Sequence, residues 1–83
     1  MAFISATFQN NYGASRKWII WDTGIDPSAP KVLFNDYLDV GASTSALQLQ
    51  QDDGGVQAHA QYQRSDGATT SVDVSDGDTV QMT

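Results

Sequence analysis

The sequence predicts an all-β fold: a small antiparallel β-sandwich or partly open barrel of six to seven strands joined by short Asp-Gly turns. Three observations lead there. Apolar and polar residues alternate with a period of two along most of the chain, as a strand that buries one face requires. All ten acidic residues are aspartate, with no glutamate, which favours turns and caps over helices. The Asp-Gly dipeptide recurs at 53–54, 66–67 and 76–77, where hairpins would use it in type I′ turns.

In AFISATFQ, Ile4, Ala6 and Phe8 share one face while Phe3, Ser5, Thr7 and Gln9 share the other, so this is the first strand. NNYGAS follows as a turn, because asparagine and glycine tolerate left-handed backbone. KWIIWD is rich in branched and aromatic residues and apolar on both faces from Trp18 to Trp21, so it calls for cover on both sides. TGIDPSAP, with two prolines and a glycine, is a loop. KVLFNDYLDVG reads as a strand with a corner or bulge at Asn35-Asp36, and Gly41 to Thr44 as a small-residue connector. In SALQLQQ, Leu47 and Leu49 point inward. DDGG (52–55) then predicts a hairpin to VQAHAQYQR, in which Val56, Ala58, Ala60 and Tyr62 oppose Gln57, His59, Gln61 and Gln63. SDGA and SDGD predict two further hairpins, to TTSVDV and to TVQMT. The expected core comprises Ile4, Phe8, Trp18, Ile20, Phe34, Leu47, Leu49, Val56, Tyr62, Val72, Val74 and Val80.

A chain of 83 residues is read as one domain, 1–83, in which only about 60% of the unfolded surface can be buried. The absence of cysteine excludes disulfides and thiolate metal sites, and the single histidine excludes a site needing two imidazoles. Without such staples, self-association is an expected route to further burial, so a homo-oligomer is one expectation. The formal charge of −6 opposes nucleic acid and anionic membrane as partners. No apolar run approaches the ~20 residues of a membrane-spanning helix, and MAFISATF lacks the basic flank and apolar core of a secretion signal.

Candidate chemistry is thin. Asp52, Asp53, Asp76 and Asp78 could meet at one end of a sandwich as calcium ligands, but the spacing is not that of an EF-hand, and turn chemistry accounts for the same residues. His59 sits mid-strand among glutamines with no nucleophile motif nearby, which argues against an enzyme. A hydrolase using Asp76, Asp78 and His59 would need those side chains in one pocket. No cofactor is expected.

The glutamines carry more. Gln48, Gln50, Gln57, Gln61 and Gln63 would fall on one face of two strands if DDGG pairs them, giving a neutral surface rich in donors and acceptors. Trp18 and Trp21 lie three positions apart and so face opposite ways; Trp18 is expected in the core, and Tyr12 is the aromatic most expected outside. The expected function is a non-enzymatic, lectin-like binding module recognising carbohydrate or another neutral polar surface through Tyr12, Trp21, Gln48, Gln50, Gln57, His59 and Gln61. The alternative is a structural or protein-interaction subunit that self-associates through its glutamine-rich face or an edge strand.

Overall fold

A computed structural model describes residues 3–24, 28–51 and 57–83. They form seven strands and no helix: β1 (Phe3–Asn10), β2 (Arg16–Asp22), β3 (Lys31–Leu38), β4 (Leu47–Gln50), β5 (Ala58–Arg64), β6 (Thr69–Val74) and β7 (Thr79–Met82). These make a three-stranded sheet in the order β4-β1-β7 and a four-stranded sheet in the order β3-β2-β5-β6, not closed into a barrel. The expected all-β sandwich or open barrel is therefore the fold.

The alternation read in the sequence becomes the core. Ile4, Ala6 and Phe8 from β1 and Leu49 from β4 face Trp18, Ile20, Ala58, Ala60, Tyr62 and Val74 from the other sheet, with Leu38 and Met82 closing the cluster. Trp18 packs edge-on against Tyr62 with ring centroids 5.8 Å apart. Phe34, Leu47, Val72 and Val80, expected inside, are only partly buried: each belongs to an edge strand in which one other apolar residue, Leu38, Leu49, Val74 or Met82, takes the buried position. Val56 lies outside the described residues.

Two expected pairings differ. β4 does not form a hairpin with β5; it pairs antiparallel with β1, placing Leu49 beside Ile4 and Leu47 beside Ala6 on the inner side. A hairpin with β5 would have left this half of β1 without that apolar neighbour. A single bridge, Gln51 to Ala58, links the end of β4 to β5, and the DDGG segment lies outside the described residues. Likewise β7 does not return beside β6 but crosses to the other sheet, where it pairs parallel with β1 from Thr7↔Thr79 to Asn10↔Met82. The SDGD turn itself directs this crossing. Ser5 donates its N–H to Asp76 Oδ1 at 2.9 Å and accepts one from Gly77 at 2.8 Å, so the turn docks on β1.

The turn types also differ from expectation, since no described residue other than glycine has a positive φ and a type I′ turn needs two. The β5–β6 hairpin closes through Ser65 to Gly67, with Gly67 N–H on Arg64 O, Arg64 N–H on Ala68 O, and Gly67 at φ 99°. This is the three-residue hairpin with a glycine bulge. In SDGD the left-handed residue is Gly77 alone (φ 83°), as a type II turn requires at its third position.

Two buried polar side chains hold the framework. Asn10 donates through Nδ2 to Ala14 O and Leu38 O and accepts from Tyr12 N–H, fixing the 11–15 loop. Asp22, at the end of β2, accepts from Gly24 N–H and, across to the other sheet, from Gln50 N–H. The irregularity expected at Asn35-Asp36 occurs earlier, as a register shift opposite Ile20/Trp21 that moves the pairing from Phe34 to Val32.

Candidate binding face

The registers of the four-stranded sheet lay out its outer surface. Residues of β2 alternate, so Trp18, Ile20 and Asp22 face the core while Lys17, Ile19 and Trp21 face outward. Pairing then aligns two rows across the sheet: Asn35, Ile19, Gln63 and Thr69 in one, Val32, Trp21, Gln61 and Ser71 in the next. None of these eight side chains is charged. Beyond the first row, Lys17 lies beside Tyr37; beyond the second, His59 lies beside Asp73.

Trp21 and Ile19 are half-buried, whereas Tyr37 is 70% and Val32 52% exposed. The outer side of β2 therefore lacks the full cover that its apolar composition calls for. Amides line the β5 side of this apolar strip, and exposed β3 residues line the other.

Charge is confined to the ends. His59 Nδ1 lies 2.8 Å from Asp73 Oδ1 at one end. At the other end, but on the core side of the sheet because Arg16 is in phase with Trp18 and Arg64 pairs with it, the Tyr12 ring meets two guanidinium groups, with Arg64 at 4.2 Å and Arg16 at 5.2 Å from its centroid. Arg64 also donates its Nε–H to Asp66 Oδ1 at 3.1 Å. The Ala68 N–H bond, and then the neighbouring Arg64 and Arg16, hold the Asp66 carboxyl below its ordinary range. On the outer side of this end the surface forms a shallow concavity of about 250 Å³ lined by Lys17, Ile19, Gln63, Arg64, Ser65 and Gly67.

Of the residues singled out in the sequence, Trp21, His59 and Gln61 meet on this face, together with Gln63. Gln57 immediately precedes β5. Gln48 and Gln50 do not join them: with β4 paired to β1, they lie beside Ser5 and Phe3 on the three-stranded sheet. The single glutamine face is thus divided between two sheets. Tyr12 is half-buried against Arg16 and Arg64 rather than freely exposed, because Asn10 ties its backbone down.

Ile19, Lys17, Asn35, Val32 and Tyr37 complete the face and were not singled out as contacts. The alternation of β2 could have indicated the first two. The others depend on the register with β3 and its shift, which no local pattern encodes.

Asp76 Oδ1 accepts from Ser5 N–H and Asp78 Oδ2 from Ser75 N–H, so both carboxylates serve the turn. Asp52 and Asp53 lie outside the described residues, and among the described residues no three His, Cys, Asp or Glu side chains group as a metal site would need. His59 pairs with Asp73 on the four-stranded sheet while Asp76 bonds the three-stranded one, so no hydrogen bond among the described residues links His59, Asp76 and Asp78 into a hydrolytic centre. No helix of the described residues is long and apolar enough to cross a membrane. No protein-family model, curated protein or solved structure matches the chain.

Proposed function

We propose that this protein is a non-enzymatic, lectin-like binding module that holds a carbohydrate against the outer face of its four-stranded sheet. The observation that carries this reading is Trp21 set in register beside Gln61 at the centre of an uncharged surface. A sugar ring offers an apolar C–H face and a rim of hydroxyls. Trp21 and Ile19 match the first, and the amides of Gln61, Gln63 and Asn35 supply both donors and acceptors for the second.

The test is a glycan array followed by titration of tryptophan fluorescence. Trp18 is buried, so a bound sugar reports through Trp21. Binding is expected for the wild type and lost in a folded Trp21→Ala variant. Absence of any saccharide binder at millimolar concentration rejects the reading.

A second reading, a subunit that self-associates, draws on one specific observation: Val32 and Tyr37 are exposed on β3, an edge strand of the sheet. Sedimentation at high concentration distinguishes the two. A monomer counts against assembly, whereas a stable oligomer weakened by Tyr37→Ser places the seam at β3.

A further inference from the structure

We propose that β6 pairs with β6 of a second copy about a two-fold axis at Ser71, joining two four-stranded sheets into one continuous sheet. The pairing needs no ligand, so it does not rest on the carbohydrate reading, and it puts the seam at the opposite edge of the sheet from β3. Among the described residues, every other edge strand is guarded. β3 follows Pro30, holds Lys31 and Asp36, and is broken by the shift opposite Ile20/Trp21. β4 and β7 are only four residues long. β6 runs for six residues without proline, glycine or lysine, on an unbroken register with β5. A regular edge with a single charge, Asp73, is what a further strand can add to.

The backbone phase follows from β5. Arg64 donates its N–H to Ala68 O, and counting along the ladder in steps of two makes Tyr62↔Thr70, Ala60↔Val72 and Ala58↔Val74 the hydrogen-bonded pairs. The N–H and C=O groups of Thr69, Ser71 and Asp73 therefore point away from β5, to a side where the sheet has no further strand. The bond from Thr23 N–H to His59 O agrees, since it turns the alternate residues of β5 toward β2. Thr69, Ser71 and Asp73 are all exposed. Antiparallel pairing about Ser71 sets Ser71 against its own copy and Thr69 against the partner's Asp73, which closes all of these outward groups. A shift of two residues either way leaves some of them open.

The side chains suit the same register. Each Asp73 faces a neutral threonine, and the two Asp73 residues lie about 13 Å apart along the strands. On the inner side, the partly buried Val72 gains the partner's Thr70 as a neighbour. On the outer side, the row of Trp21, Gln61 and Ser71 runs on into the same row of the second copy. The two Trp21 positions then share one face, about 24 Å apart at the spacing of adjacent strands. Each copy carries a formal charge of −6, so association works against repulsion and strengthens with salt.

The experiment is sedimentation equilibrium of the full chain, without any saccharide, at low and high salt. A dimer is expected, tighter at high salt. Ser71→Pro removes an N–H that points away from β5, a position where an edge strand accepts proline, so the fold is kept while the centre of the seam is lost. Its dimer dissociation constant should rise about tenfold or more, the scale of the reciprocal hydrogen bonds removed. Ser71→Asp, which sets like charges against each other on the axis, should do the same, and circular dichroism melts check that both variants fold. Because residue 71 meets itself, Ser71→Cys in this cysteine-free chain should yield a covalent dimer under glutathione disulfide, whereas Tyr37→Cys should not. A dimer that survives both Ser71→Pro and Ser71→Asp, or that Tyr37→Ser weakens instead, overturns the β6 seam. A chain that stays monomeric at millimolar concentration in high salt overturns it as well, and a foreign extended peptide is then the occupant left for this edge. Neither result bears on saccharide binding at Trp21, which is measured separately.

Discussion

Asp22 is the residue whose loss should cost this fold most for the smallest chemical change. Its side chain is 1% exposed, and its two oxygens accept N–H bonds of 3.0 Å from Gly24 and 3.0 Å from Gln50. The second bond runs from β4 in one sheet to β2 in the other, so the carboxylate clasps the sandwich where the Gln51–Ala58 bridge also joins it. Asp22→Asn keeps the size but leaves one acceptor oxygen, and its NH₂ group confronts an N–H that loses its partner. A bond to a charged group is worth about 1.5–3 kcal/mol. For a domain of this length each kcal/mol moves the melting temperature by about 4–8 °C, so a fall of roughly 10–20 °C is expected. Asp22→Ala strands both donors and should cost more. Thermal and urea unfolding, followed by circular dichroism at neutral pH, measure it. An Asp22→Asn melt within about 2 °C of wild type, under about 0.5 kcal/mol, would refute the clasp.

Further outcomes follow from the turns. Gly67→Ala should destabilise by about 1–2 kcal/mol from left-handed backbone alone, since nothing lies within 4 Å of the added Cβ, and Gly67→Asn by less; urea midpoints rank the two. Asp76→Ala should speed amide exchange at Ser5 without affecting Ser75, and Asp78→Ala should do the reverse; nuclear magnetic resonance reads both. Asp66 has a lowered pKa, so its stabilising contribution is present above its ordinary value of 3.8 and is lost as pH falls through its lower folded value. Acid titration of wild type against Asp66→Asn should show that small difference above this range and its disappearance below it.

The strands and their inward faces were legible because period-two alternation is a local signal. Ile4, Phe8, Trp18 and Ile20 could be placed inside from that alone, whereas for Trp21 alternation fixed only that it faces opposite to Trp18. Pairing was less legible: Asp-Gly reports that the chain turns, not which neighbour it turns toward, and β4 and β7 both went to β1. The same gap split Gln48 and Gln50 from Gln61. Asp22 and Asn10 were missed although the alternation puts them in phase with Ile20 and Phe8. A polar residue in phase with the core is a signal that it is bonded there. Val32 and Tyr37 were hidden by the shift in β3, which changes which residues face outward.

The parallel pairing of β1 with β7 sets how this molecule would bear a mechanical load. The chain enters β1 at Phe3 and leaves β7 at Met82, which lies beside Asn10, so the two ends are drawn in opposite directions along adjacent strands. Tension applied there shears the ladder from Thr7–Thr79 to Asn10–Met82, loading its hydrogen bonds together and nearly at right angles to the pull. A hairpin pulled from its open end would instead unzip one bond at a time. A short, four-residue pairing thus guards the rest of the sandwich, and under force the unfolding rate should depend on this strip before any other.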